Sequence, residues 1–420
     1  VLVCVVTSAG PVVAGEAADE LQELRERVEA LEREDKTVDV TDQDGQGHRL
    51  HPIHSLGEAK ISGGITMIVQ GVSSDHLTDP VAGPGDQAEA TLSLDLFLEH
   101  QISQDGRVLV HLDVQQGAGL TTIPVFAAPN GNSTGTNNDV ESFGNDQVHL
   151  DQAYYEHVWM GERVAVTLGQ YDPTAYFDTN AFANNERFQF MANLFGNNAA
   201  LEFGGTGNFY GLGGVLRVKP VDWLDLMVGA MEGDGDFVEA FSRPWTIAEA
   251  DIHANWAGRE GNYRFYVWQN RSHHSNLLPG GRDLKNQGIG LNVEQHLSDH
   301  LGIWARYGTQ KGAVAAFDRS MSGGLHISGG FFGRPHDAIG VGYGLTMISG
   351  DYRAAQAAAA LPEFDRNEGY FETYYRLVLS GDGETQGFAV SPDIQYITHA
   401  GGNSALEPIT VYGIRVQAFF

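Results

Sequence analysis

From Thr91 to Gln116 the chain reads TLSLDLFLEHQISQDGRVLVHLDVQQ. Leu92, Leu94, Leu96 and Leu98 take every second position, and Val108, Val110, Leu112 and Val114 repeat the pattern. Successive side chains of a strand point to opposite faces, so the alternation predicts a two-stranded ribbon with one aliphatic face. The other face carries Ser93, Asp95, Phe97, Glu99, His111, Asp113 and Gln115. Between the runs, the dipeptide Asp105-Gly106 predicts a two-residue hairpin turn because it tolerates positive φ.

The pattern recurs along the chain. In NQGIGLNVEQHLSD, Ile289, Leu291, Val293 and Leu297 oppose Asn292, Glu294 and His296. In HLGIWARYG, Leu301, Ile303, Ala305 and Tyr307 oppose Trp304 and Arg306. In EGYFETYYRLVLSG, Phe371, Tyr375, Leu377 and Leu379 oppose Glu372 and Arg376. About sixteen such segments follow Glu58, starting near residues 58, 88, 107, 146, 163, 208, 223, 246, 261, 286, 301, 320, 338, 368, 386 and 409. Most exceed the roughly five to six residues of soluble strands and approach the nine to eleven or so of a tilted membrane strand.

The connections alternate. Asp105-Gly106, Gly161-Glu162, Lys219–Asp222, Gly258–Gly261 and Asp299-His300 are tight, and the segments 119–145, 172–207, 232–245 and 272–285 are long and polar. A barrel with periplasmic turns and extracellular loops keeps this parity, whereas a soluble sandwich has no reason to. The expected fold is an all-β transmembrane barrel of about sixteen antiparallel strands over residues 58–420. Its aliphatic faces meet lipid, and its ionisable faces meet water inside. The chain ends in ITVYGIRVQAFF, where Thr410, Tyr412, Ile414, Val416, Ala418 and Phe420 share one face against Arg415 and Gln417. A terminal aromatic closing such a strand resembles the C-terminal assembly signal of bacterial outer-membrane proteins.

The N-terminal part differs. VLVCVVTSAGPVVAGEA, residues 1–17, reads as the apolar region and cleavage zone of a secretory signal. Residues 18–36 carry Leu21, Leu24, Val28 and Leu31 at 3-4-3 spacing, the seam of a short amphipathic helix or coiled coil. Two heptads suit either a lone helix with a narrow stripe or a short oligomerising or cell-wall-facing coiled coil. The polar stretch 37–57 reads as a linker. An even strand count would place the helix in the periplasm of a Gram-negative cell.

Composition narrows the function. A net charge of −29 argues against nucleic acid, whose backbone is anionic. The single cysteine, Cys4, lies in the signal-like run, so no disulfide is expected in a mature chain. No later window offers the 18 or so apolar residues of a helical span, a test that leaves barrels untouched. No G-x-S-x-G or comparable context frames a hydrolase, and no enzyme activity or cofactor is expected. His273-His274 near Asp283 is expected to be solvated rather than a metal site, since adjacent strand residues face opposite ways.

Two stretches carry a family resemblance. LGQYDPTAYFDTNAFANNERFQFMANLFGNNAA (168–200) resembles the third-loop region of the OprB-type carbohydrate-selective porins. The match rests on Gly169, Asp172-Pro173, Phe177-Asp178, Asn180, Phe182-Ala183-Asn184 and Phe190. NQGIGLNVEQHLSDHLGIWARYG and SPDIQYITHAGGN are in the same style. Gln170 stands where the family often has lysine. The resemblance implies a sixteen-stranded, often trimeric diffusion channel of the outer membrane, associated with sugars.

A passive channel needs width, a polar lining and a constriction. The loop 172–207, the longest, follows the fifth strand as the third extracellular loop and is expected to fold inward. Its Tyr176, Phe177 and Phe182 either pack on the wall or line a sugar path, with Asp172 and Asp178 beside them. The expected channel-lining charges are Asp95, Glu99, Asp113, Glu294, Glu372 and Asp393, with Arg264, Arg306, Arg376 and Arg415, and Trp304 on the same face. They either pair mutually or separate into a transverse field. Acidic rims raise the local cation concentration, which keeps a cation-favouring channel for nutrients or inorganic ions as the alternative. A structural barrel tethered to peptidoglycan through the helix is a third reading. The expected partners are outer-membrane lipid or lipopolysaccharide, small sugars or other polar solutes, and two further copies of the chain.

Overall fold

The computed structural model describes residues 54–56, 59–73, 87–117, 119–120, 123–131, 147–204, 210–235, 237–279, 284–382 and 385–420. The signal-like run and the 18–36 helix lie outside the described residues, as does most of the 37–57 linker.

A three-residue segment, β1 (His54–Leu56), pairs with the start of β2 (Ala59–Ser73). The barrel then runs through β3 (Gln87–Ser103), β4 (Gly106–Gln116), β5 (Gln147–Trp159), β6 (Val164–Tyr171), β7 (Gly211–Val221) and β8 (Leu224–Met231). It continues with β9 (Trp245–Trp256), β10 (Arg259–His274), β11 (Leu284–His296), β12 (Leu301–Thr309) and β13 (Phe317–Ser328). The last strands are β14 (Ala338–Ile348), β15 (Glu368–Gly381), β16 (Gly387–Thr398) and β17 (Ile409–Phe419). Each pairs antiparallel with the next, and β17 pairs with β2, closing a barrel of sixteen strands. Closure removes every free sheet edge, which a membrane-spanning sheet requires.

The aliphatic faces point outward. Leu94, Leu226, Phe265 and Ile289 remain between 36% and 52% exposed, whereas the alternate residues Asp95, Asp225, Arg264 and Asn292 are at most 4% exposed. Trp159, Trp223 and Trp256 are exposed at the ends of β5 and β9 and in the β7–β8 turn, all on the side of the short turns. Indole rings at such a rim suit the membrane–water interface. Phe420 exchanges two backbone hydrogen bonds with Gly63, so the terminal aromatic sits on the closing seam.

The turns repeat the sequence reading with two corrections. The β3–β4 turn residues are Gln104 and Asp105, because Ser103 pairs with Gly106 across a register shift after Gln101. The shift moves the turn one residue ahead of the expected Asp105-Gly106. A turn with positive φ at both centres occurs instead between β9 and β10, at Ala257 (φ 53°) and Gly258 (φ 81°). Loop parity is also less strict than expected. The 329–337 connection on the turn side outlasts 310–316 on the loop side, and it contains a 3-10 turn at Gly329–Phe332.

Candidate functional site

The interior is organised by the third long loop, residues 172–210 between β6 and β7. It opens with Asp172, whose Oδ1 accepts hydrogen bonds from Thr174 N (2.8 Å) and Oγ1 (2.7 Å), capping a 3-10 turn at Pro173–Ala175. Burial pushes the Asp172 carboxyl up to about 6, against those two hydrogen bonds, which favour the anion. Tyr176 and Thr167 of β6 lie within hydrogen-bond distance through their hydroxyls (3.2 Å).

Asp178 is the hub. Its backbone is held at φ 57°, a left-handed conformation that Asp tolerates better than most residues. Its Oδ2 accepts from Asn198 N (2.6 Å) and lies 3.1 Å from Arg306 Nε; its Oδ1 accepts from Asn292 Nδ2 (2.9 Å) and Tyr266 Oη (3.2 Å). Arg306 also donates to the carbonyls of Asp178 (3.0 Å) and Phe195 (2.7 Å). One ion pair thus ties both limbs of the loop to β12. Asn180 donates to Asn292 Oδ1 at 2.7 Å.

Wall carboxylates take the loop's free amides. Glu249 accepts from Asp178 N (2.9 Å), Glu294 from Ala181 N (2.5 Å), and Glu372 from Met191 N (2.5 Å) and Ala192 N (3.0 Å). Arg415 answers from β17 by donating to the carbonyls of Glu186 (2.6 Å) and Gln189 (2.9 Å). A buried backbone group left unpaired is costly, and a hydrogen bond to a charged partner contributes about 1.5–3 kcal/mol.

Three of the loop's aromatic rings pack on the wall. Phe177, Phe182 and Phe190 are at most 3% exposed. Phe190 packs on Trp304 and Tyr374, with centroids 5.5 and 5.1 Å apart, and Phe182 stacks on His326 at 5.2 Å. They fasten the loop to the wall. Tyr176 remains partly exposed. Strand β12 leaves room for the loop at the two glycines that flank Trp304 and Arg306 on its inner face: a Cβ at Gly302 would stand 2.2 Å from the Phe182 ring, and one at Gly308 would stand 2.4 Å from Asn198. Gly302→Val is therefore expected to expel Phe182 and release that limb, seen as faster proteolysis within 172–210 in an otherwise folded barrel.

The second long loop also turns inward. Gln70 and Gln395 both donate to the carbonyl of Pro129 at 2.8 Å, and Glu368 accepts from Phe126 N at 2.9 Å.

Every expected charge on the strands lies on the inner face. Asp95, Glu99, Asp113, Arg264, Glu294, Arg306, Glu372, Arg376, Asp393 and Arg415 are at most 8% exposed, as is Trp304. They are not bathed in lumen water, as the sequence suggested for Asp95, Glu99, His111 and Asp113, but pressed against the loop or each other. Arg264 lies 2.9 Å from Asp251 and 3.4 Å from Glu294; Glu99 lies 3.6 Å from Arg107. Arg376 stands over the Phe188 ring at 4.9 Å, and Asp393 accepts from Gln395 at 2.9 Å. The four arginines gather on β10–β17, but carboxylates occupy both that arc and β3–β5.

Sequence reasoning missed Arg187, Glu249, Asn198 and Asn292. It also missed Glu202, which accepts from Asn270 and Asn286 (both 2.6 Å) and lies 2.8 Å from His274 Nε2, so His274 is a loop anchor rather than a solvated residue. The inward glycines of β12 were the available signal.

A barrel of this strand number with a loop strapped across its interior matches the family model described as carbohydrate-selective porin, OprB family, over residues 82–420. The chain belongs to this family. It is thus a porin by family, with the outer membrane of Gram-negative bacteria as its setting. Among solved structures it is similar to the high-pH structure of Pseudomonas putida OprB, with a TM-score of 0.71 and 17% identity over 86% of this chain and 94% of that one. The low-pH structure of the same porin gives a TM-score of 0.54 at 15% identity, over 86% and 93% of the two chains. Among curated relatives, porin AaxA of Chlamydia caviae is 20% identical over 69% of this chain and 60% of its own length. Porin AaxA of Chlamydia trachomatis is 25% identical over 48% and 43%. The chain thus aligns with about half the length of these relatives.

Proposed function

We propose that this OprB-family porin gives passive diffusion to small hydrophilic solutes, carbohydrates foremost, through a water-filled barrel narrowed by its third loop. The observation that carries the reading is the strapping of residues 178–192 across the interior by Asp178–Arg306, Glu294, Glu372 and Arg415. In this reading the buried wall charges and Phe177, Phe182 and Phe190 set the loop's position. The partly exposed Asp172, Tyr176 and Glu186 face the solute. Family membership supports sugars as the solute class. The barrel works as a homotrimer set in outer-membrane lipid, and residues 18–36 reach toward peptidoglycan.

A cation-favouring channel is the second reading, favoured by the inward Asp95, Asp113 and Asp151 on the adjacent strands β3, β4 and β5. Swelling of liposomes holding the refolded protein tests the proposal. Monosaccharides are expected to enter readily and larger oligosaccharides progressively more slowly. Swelling with inorganic salts but with no sugar would favour the second reading, and no swelling at all would refute both. Deleting 18–36 is expected to leave the permeation unchanged, whereas a barrel that serves only as a tether would not conduct with or without that segment.

A further inference from the structure

The third loop, 172–210, contains one basic residue, Arg187, against Asp172, Asp178, Glu186 and Glu202. Arg187 does not turn toward the β10–β17 wall that holds Asp178, Ala181 and Met191. Its Nη1 lies 2.5 Å from Asp95 Oδ1 and its Nη2 lies 3.9 Å from Asp113 Oδ2, on β3 and β4. The arc it faces is densely acidic. His111 lies between Asp95 (2.9 Å) and Asp151 (3.8 Å), and Glu186 stands 3.9 Å from Arg187 itself. Arg107 serves a separate pair, Glu99 and Glu156, at 3.6 and 2.9 Å. The Oδ1 atom of Asp113 is buried without a hydrogen-bond partner, so this arc is short of positive charge even with Arg187 in place.

The wall arginines contrast with this. Arg306 and Arg415 spend their donors on loop carbonyls, and Arg264 lies between Asp251 and Glu294. Arg187 is therefore the charge that the loop itself presents to the β3–β5 arc. The loop's Phe182 and Phe190 pack toward the His326, Trp304 and Tyr374 side of the wall, whereas Tyr176 meets Thr167 of β6 and Arg187 meets β3 and β4.

We propose that Arg187 is the residue that sets the channel's ion preference, by offsetting the field of Asp95, Asp113 and Asp151 at the narrowest level. The inference rests on the porin reading above. It places the selectivity determinant on the third loop and the opposing charge on the strands. The field of a charge beside an aqueous path reaches about a Debye length, about 10 Å at 0.1 M salt and about 3 Å at 1 M.

The test is reversal potential in planar bilayers under a KCl gradient, for wild type, Arg187→Gln, Arg187→Lys, Asp113→Asn and the double variant Arg187→Gln with Asp95→Asn. Arg187→Gln is expected to raise the potassium-to-chloride permeability ratio several-fold at low salt, with the increase shrinking toward 1 M. Arg187→Lys should stay near wild type, the double variant should return toward it, and Asp113→Asn should move the ratio the other way. An unchanged ratio in both Arg187→Gln and Asp113→Asn would overturn the proposal. So would a shift that persists undiminished at 1 M, which would mark a rearranged loop rather than a field. If Arg187→Gln fails to fold, the direction of Asp113→Asn still decides. A wild-type protein that does not conduct would instead refute the porin reading.

Discussion

Replacing Asp178 with alanine is expected to leave a barrel that inserts but conducts more, with a noisier open level and a lower unfolding midpoint. Asp178 pairs with Arg306 at a site where both side chains are essentially excluded from solvent, and it also takes hydrogen bonds from Asn198, Asn292 and Tyr266. Removing one member of a buried ion pair strands the other, at a cost of about 3–5 kcal/mol. The stranded Arg306 would keep its two loop carbonyls only while the loop stays docked, so the cheaper outcome is a loop that swings away. Asp178→Asn separates the terms. It keeps the hydrogen-bonding oxygen and tolerance of the left-handed backbone while removing the charge, so its effect should be intermediate. Single-channel recordings read the loop, and a urea titration of the refolded protein reads the stability. An alanine variant with wild-type conductance and noise would show that this ion pair does not hold the loop.

The second large effect concerns the outer face. Leu94→Arg should destabilise the inserted barrel by about 2–4 kcal/mol, the cost of arginine near the middle of the lipid-facing surface. Leu94 is 36% exposed, lies among Leu92, Leu96 and Leu98, and points away from the buried Ser93 and Asp95. His100→Arg, six residues along the same face and near the turn-side rim, should cost close to nothing because an arginine there reaches the interface. The two variants are compared by folding into lipid vesicles from urea. Equal stability for both would mean that Leu94 does not meet lipid.

The outer face was the more legible half of the molecule. Leu92 to Leu98 and Val108 to Val114 alternate so cleanly that a register slip of one residue would bury or expose a whole row, and the barrel keeps the face the alternation dictates. The turn after Ser103 was displaced by a register shift, a local feature that the Asp105-Gly106 dipeptide does not announce. The interior was legible by side but not by partner. Glu372 and Arg415 could be assigned to the inner face from parity alone. That Glu372 receives Met191 and Ala192 amides, and Arg415 the Glu186 and Gln189 carbonyls, could not, because a backbone group has no residue identity to read. The glycines at 302 and 308 were a trace of that contact, since a glycine at an inward strand position marks a place where another segment approaches closely.

A steady open pore of sugar-passing width behind a fixed third loop should be visible in single-channel conductance of the refolded protein in a planar bilayer, with sugars titrated in. Stable, ungated steps are expected, with a current that falls as a sugar is added at millimolar levels. Stable steps indifferent to every sugar would contradict the carbohydrate assignment. A barrel that inserts without conducting would contradict the pore itself.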